Sequence, residues 1–171
     1  GDKAKSNCRV RKIALSGKAE AWFIEHNEYY GAREIYPEQE NTVERSCFFG
    51  RAALDACLAI NWIPDIIHCH DWTTGLIPVL LNTTAKGTLL GKSASVLSIH
   101  NLQHQGLLSR RAMPFLHLPE WLFHPDEIEC YGGVNFLKGG ILHATKVTTV
   151  SPTYAKEILT GEYGFGLDEF L

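Results

Sequence analysis

At 171 residues, 45% of them hydrophobic and 20% charged, the chain has a globular composition and enough length for one substantial core, so a single domain is expected. A formal net charge of −3 and a pI near 6.2 exclude the basic field that draws nucleic acid or anionic lipid. No apolar run approaches the roughly 20 residues that span a bilayer, and the chain opens on Gly1 and a polar segment rather than on a signal peptide.

Cys8, Cys47, Cys57, Cys69 and Cys130 are odd in number, without a CxxC pair or even spacing, which points to free, mostly buried thiols in a reducing cytosol. A soluble intracellular protein is expected. Starting without a methionine, the chain reads as a portion of a longer one.

In chain order, Arg9 to Leu15 and Ala19 to Ile24 are β-type runs separated by Ser16-Gly17-Lys18, a hairpin pattern. After a polar loop containing Gly31 and Pro37, Asn41 or Thr42 can cap a helix beginning at Val43. Its apolar positions Val43, Cys47, Leu54 and Leu58 recur at helical spacing and would face a sheet. Pro64 to His70 reads as a buried strand and Trp72 to Leu81 as the helix after it, half of a βαβ unit. Ser95 to Ile99 gives another strand, followed by a loop over Asn101 to Gly106 and a long aromatic-rich connection through Phe123.

Asn135 to Ala144 reads as a helix, and β-branched Lys146 to Val150 as a strand. Ser151-Pro152 opens a last helix through Leu159, with proline in its first turn. The tail, Gly161 to Leu171, holds three glycines and reads as a segment free to move. The order of strands and loops is that of an open parallel α/β sheet.

Ligands of such sheets bind beyond the carboxyl ends of the strands, where loops converge and helix N-termini present free N–H groups. Three segments fall there: His68 to Gly75, His100 to Gly106, and Val150 to Tyr154. In the first, Asp71 stands at a strand-to-helix corner. Two readings stand: Asp71 caps the helix while Trp72 fills space, or indole and carboxylate grip a sugar, the ring on its apolar face and the carboxylate on its hydroxyls.

His68 and His70 would project from one strand face, an arrangement that also suits a metal, but no HExxH, third ligand or acidic loop completes such a site. A buried, hydrogen-bonded His68 is the plainer reading. In the second segment, His100 and Asn101 can each donate and accept hydrogen bonds, as several sugar hydroxyls require. A core histidine bonded to backbone is the alternative for His100, and His104 reads as solvent-facing. In the third, a phosphate could sit at the helix start, yet no glycine-rich phosphate signature accompanies it, and helix initiation explains Ser151 and Pro152.

Taken together, PDIIHCHDWTTGLIPVLL, SIHNLQHQG, NFLKGGILHATKVTTVSPTYAKEI and YGFGLDEFL, preceded by AWFIEHNEYYGAREIYPEQENTVERSCFFGRAALD, resemble in order and spacing the N-terminal domain of glycogen and starch synthases. The resemblance runs from about Lys12 onward. It implies a Rossmann-like, open, mostly parallel sheet with helices on both faces, the first of two domains in the GT-B architecture. The implied activity is a retaining glucosyltransfer from ADP-glucose or UDP-glucose to the non-reducing end of an α-1,4-glucan, with no cofactor and no required metal. The implied location is the cytoplasm, or the plastid in a plant, with neither nucleic acid nor membrane as partner.

By matching position, the resemblance implies that His100 contacts the donor glucose near its 6-hydroxyl and shapes the pocket at the anomeric carbon. Asp71 and Trp72 match cleft residues that meet the acceptor or sugar, Tyr36 an aromatic residue of the same wall, and Asn101 lies beside them. Thr73 stands where family members usually carry histidine, which alters a hydrogen bond at the sugar. The family's Lys-x-Gly-Gly loop and second domain, which hold the diphosphate, are not in this sequence, so the chain alone is expected to be inactive. Two other classes stand beside this reading: a glucan-binding module without catalysis, and a metal-dependent hydrolase built on His68 and His70.

Overall fold

The computed structural model of the chain describes residues 7–31 and 39–171. It begins with the expected hairpin, strands β1 (Arg9–Ala14) and β2 (Glu20–Glu25) paired antiparallel from Arg9 opposite Glu25 to Ala14 opposite Glu20. A one-turn helix α1 (Asn27–Tyr30) follows. The helix expected from Val43 starts earlier: α2 runs Gln39–Ala59, so Asn41 and Thr42 lie inside it instead of capping it. Glutamine and glutamate are good helix formers and an acid suits a helix N-terminus, which extends the helix upstream. Val43, Cys47 and Leu54 are buried as expected, but Leu58 is exposed, and the helix packs mainly on helices α3 (Asp71–Thr74) and α4 (Leu76–Asn82) rather than on the parallel sheet.

That sheet has three strands: β3 (Ile66–His70), β4 (Ala94–Ile99) and β8 (Lys146–Thr149), with β4 central and both neighbours parallel to it. His70 is in register with Ser98, and Ser98 with Thr148, so the carboxyl ends of the strands fall on one rim. The expectation of a buried β3 needs correction. Only Cys69 is buried, while Ile66, His68 and His70 face outward, because β3 is an edge strand among the described residues and helices cover the face of Cys69 and Leu97.

The helix expected over Trp72 to Leu81 is two pieces, α3 and α4, joined at Gly75, whose N–H bonds to Trp72 O at 3.0 Å. The break lies where helix α6 (Phe136–His143) crosses. A Cβ on Gly140 would stand 3.0 Å from Gly75 Cα, Gly75 O and Leu97 Cδ2, so the absence of a side chain there is what lets α6 lie against α4 and the sheet. Leu80, Leu97, Ile99, Phe136 and Leu137 are fully buried and form the centre of the core.

Between β4 and α6 the aromatic-rich connection folds into a small antiparallel sheet of β5 (Leu107–Ser109), β6 (Glu129–Cys130) and β7 (Gly133–Asn135), with β7 central and the one-turn helix α5 (Met113–Leu116) between β5 and β6. The last α-helix is α7 (Pro152–Glu157), with Pro152 in its first turn and Ser151 as N-cap, its Oγ accepting from Tyr154 N. It stops before the Leu159 expected from sequence. Beyond it, Leu167 is fully buried and the Phe170 ring lies 4.2 Å beneath the Lys138 ammonium. Lys138 is itself buried and donates to Pro125 O and Glu129 O, tying tail, loop and α6 together.

All five cysteines are free; Cys47 and Cys69 are buried, and Cys8, Cys57 and Cys130 partly so. Among the described residues no helix is long and apolar enough to cross a membrane.

Candidate functional site

The rim at the strand ends is built by three loops. The first leaves β3 at His70 and turns at Asp71, whose φ of +55° lies in the left-handed region that Asp and Asn tolerate better than most residues. The Asp71 carboxylate does not cap its own helix. His70 is the N-cap, with no side-chain cap bond, and Asp71 Oδ1 instead accepts from His100 N at 2.7 Å and Asn101 N at 3.2 Å. One carboxylate oxygen thus fixes the backbone of the second loop as it leaves β4, and Asp71 and His100 share one rim.

Behind it, Thr73 Oγ1 and Thr74 Oγ1 both donate to His70 O, at 3.2 and 2.9 Å, and His70 N donates to Thr74 Oγ1 at 2.6 Å. Thr73 therefore serves the strand-to-helix corner. Burial pushes the Cys69 thiol up to about 12, against the opposing hydrogen bond of Thr74, leaving it protonated and unreactive at neutral pH.

In the second loop, Asn101 Oδ1 accepts from Gln103 N at 3.0 Å, a local turn, and Leu102 is fully buried. Gly106, at φ +66°, closes the loop against Trp72: a Cβ there would lie 2.4 Å from Trp72 Cε3 and 3.2 Å from Phe136 Cβ. Trp72 is half-buried, seated on Gly106 and lining a cavity of about 260 Å³ with Val43, Gln103 and His104. The ring thus fills space, as the plainer reading of Trp72 has it, and also borders a hollow. His104 is exposed, as expected.

The third loop joins through Tyr154, whose hydroxyl accepts from Leu102 N at 2.8 Å, and Thr149 Oγ1 donates to Ile99 O at 2.7 Å. The start of α7 therefore braces the His100 loop.

The histidines form a connected set on the outward face. His70 Nδ1 and His100 Nε2 are 3.0 Å apart, and the His68 and His70 rings are 4.3 Å apart between centroids. His68 is hydrogen-bonded as expected, Nε2 to Ser98 Oγ at 2.7 Å, with Ser98 bonded in turn to Thr148 Oγ1 at 2.8 Å, but its ring is exposed rather than buried. Loss of solvent around His70, then the neighbouring His68 and His100 imidazoles, hold its pKa below the usual histidine value. Among the described residues no group of three or more His, Cys, Asp or Glu is arranged to hold a metal ion.

Asp71, His100 and Asn101 are thus joined by hydrogen bonds and Thr73 is bonded at the corner behind them, whereas Trp72 lines a hollow with Gln103 and His104 that none of these four enters; Tyr36 lies outside the described residues. Sequence reasoning missed Gln105 and Asn135, which bond to each other at 2.6 Å while Gln105 Nε2 reaches Phe165 O at 3.0 Å, linking the rim loop to the tail. The N-cap role of Asn135, accepting from Lys138 N at 2.9 Å, was the signal available for one of them.

Comparison with known proteins bears on what this rim belongs to. A family profile described as the starch synthase catalytic domain matches residues 2–171. The glycogen synthase of Thermodesulfovibrio yellowstonii is 46% identical over 164 residues, covering 93% of this chain and 33% of that protein. That of Fervidobacterium nodosum is 44% identical over 165 residues, covering 95% and 34%. Among solved structures, the catalytic domain of starch synthase IV from Arabidopsis thaliana, bound to ADP and acarbose, superposes with a TM-score of 0.87 at 32% identity, covering 95% of this chain and 34% of that one. The chain spans about a third of the length of the relatives it matches. With the profile matched over nearly its whole length and the fold shared, the chain belongs to the starch synthase catalytic domain family.

Proposed function

We propose that this chain forms the acceptor-side wall of a glucosyltransferase that moves glucose from a nucleotide sugar to the non-reducing end of an α-1,4-glucan with retention of configuration. The observation that carries this reading is the Asp71 carboxylate fixing the backbone of His100 and Asn101 on the rim where the parallel strands end. The ADP and acarbose of the Arabidopsis relative favour ADP-glucose over UDP-glucose as donor.

Breaking a sugar–phosphate bond builds positive charge on the glucose ring and negative charge on the departing diphosphate. In this reading the exposed imidazole of His100 meets the donor glucose and fixes its orientation, while Asp71 acts through the loop it holds. Trp72 presents an apolar wall to the acceptor. Closure of a second domain over the rim excludes water and favours transfer over hydrolysis. The three rim segments, 68–75, 100–106 and 150–154, contain no lysine or arginine, and in this reading charge neutralisation falls to the rest of the protein.

The test is transfer itself. The full-length protein that contains this segment is supplied with labelled ADP-glucose or UDP-glucose and a maltooligosaccharide. Label in a lengthened α-1,4-glucan, faster from ADP-glucose, is expected. Glucan binding without transfer from either donor would leave a binding module and reject the enzymatic reading.

A further inference from the structure

His70 stands outside the roles so far described, yet its side chain is aimed at the imidazole on which the proposed chemistry turns. Its Nδ1 lies 3.0 Å from His100 Nε2, with the rings 5.3 Å apart between centroids and inclined at 36°. The backbone of His70 is pinned on both sides: its N–H donates to Thr74 Oγ1, and its carbonyl accepts from Thr73 and Thr74. Its ring lies against that of His68, inclined at 34°, and His68 is held by Ser98 and through it by Thr148. The backbone of His100 is fixed separately by Asp71. Two imidazoles carried on different strands are thereby held at hydrogen-bond distance by restraints that leave neither strand free to slide.

Resting on the function proposed above, we infer that His70 is a positioning residue that sets the ring orientation and the tautomer of His100. Between two neutral imidazoles only one of the facing nitrogens carries a proton. If it sits on His100 Nε2, His100 Nδ1 is a bare acceptor; if it sits on His70 Nδ1, His100 Nδ1 carries hydrogen and donates. The state of His70 thus decides whether His100 offers a sugar hydroxyl an acceptor or a donor. The depressed pKa of His70 keeps it neutral near pH 7, as this arrangement needs.

Two variants separate this role from simple packing. His70→Phe keeps a ring against His68 and removes the nitrogen; His70→Asn places a polar atom one bond beyond Cγ, where Nδ1 stands in histidine. In this chain, nitrogen-15 spectra of labelled histidine are expected to show His100 in one dominant tautomer, which reverts to the free-imidazole mixture in His70→Phe. In the full-length synthase, His70→Phe is expected to lower kcat about tenfold with the donor KM within about twofold, the scale on which loss of a partner that orients a functional imidazole is felt. His70→Asn is expected to recover most of that loss.

A mixed tautomer of His100 in the wild-type chain, an unchanged one in His70→Phe, or an Asn variant no better than Phe would overturn the inference. Should His100→Ala leave turnover untouched, the catalytic reading fails by itself, and the spectra alone decide whether His70 sets the tautomer of His100. Circular dichroism of each variant separates a misfolded chain from a mispositioned imidazole.

Discussion

Replacing Asp71 with alanine deletes the acceptor on which two backbone N–H groups converge, at 2.7 Å from His100 N and 3.2 Å from Asn101 N. A hydrogen bond to a charged acceptor contributes roughly 1.5–3 kcal/mol net, and the longer of these two lies at the far end of the useful range. The rim faces solvent, so the pair together contributes about 2 kcal/mol. Asp71 also occupies φ +55°, where alanine is less at ease than aspartate, adding about 0.5–1 kcal/mol. The expected destabilisation of Asp71→Ala is therefore about 2.5–3 kcal/mol. Asp71→Asn keeps an oxygen and tolerates the left-handed backbone, and loses only charge, at a cost of about 1 kcal/mol. Urea unfolding followed by tryptophan fluorescence gives the ranking, and amide exchange at His100 and Asn101 reports the clamp directly. Unaltered protection of those two amides in Asp71→Ala, with stability within about 0.5 kcal/mol of wild type, would mean that the carboxylate does not clamp the loop.

Gly106→Ala drives a Cβ into the Trp72 ring and imposes a positive φ, for a loss of about 2–4 kcal/mol. Gly17→Ala, with positive φ and nothing within 4 Å, is expected to lose only about 1 kcal/mol in the same urea assay; equal losses would remove the steric argument. Lys138→Met strips the donor from Pro125 O and Glu129 O and the cation from Phe170. A loss of about 1–3 kcal/mol is expected, with faster proteolytic cleavage within residues 161–171, and an unchanged cleavage rate would count against that fastening. The folded-state pKa of His70 is depressed, so the unfolded chain takes up the proton first as pH falls. Its contribution to stability is complete above about pH 6.5 and lost as pH drops from there through the folded value. Wild type minus His70→Asn should show that slope in unfolding free energy, and a flat difference between pH 7 and pH 5 would contradict it.

Local chemistry made much of the fold legible. The Ser16-Gly17-Lys18 punctuation marked the hairpin, β-branched runs marked the parallel strands, and Ser151-Pro152 marked a capped helix. The small sheet of β5, β6 and β7 was not legible, because strands of two or three residues carry no measurable alternation and β5 pairs with β7 across some 25 residues of chain. The uncovered face of β3 was hidden for a related reason: an apolar run such as Ile66-Ile67 reads the same whether one face or both are packed.

At the site, sequence placed Asp71, Trp72, His100 and Asn101 near one rim, because loops after parallel strands gather there. It did not indicate what each side chain touches. Asp71 clamps a neighbouring loop instead of its own helix, and His70 meets His100 only because the register sets His70 beside Ser98, two residues short of His100. Contacts of that kind depend on strand register, which no local pattern encodes.

Single-turnover glucose transfer by the full-length protein that contains this segment, carrying His100→Ala, decides whether the rim acts on the reacting sugar. A fall of about two to three decades in rate, equivalent to roughly 3–4 kcal/mol of transition-state stabilisation, is expected with folding intact. Transfer at the wild-type rate would contradict the claim that this rim grips the reacting sugar.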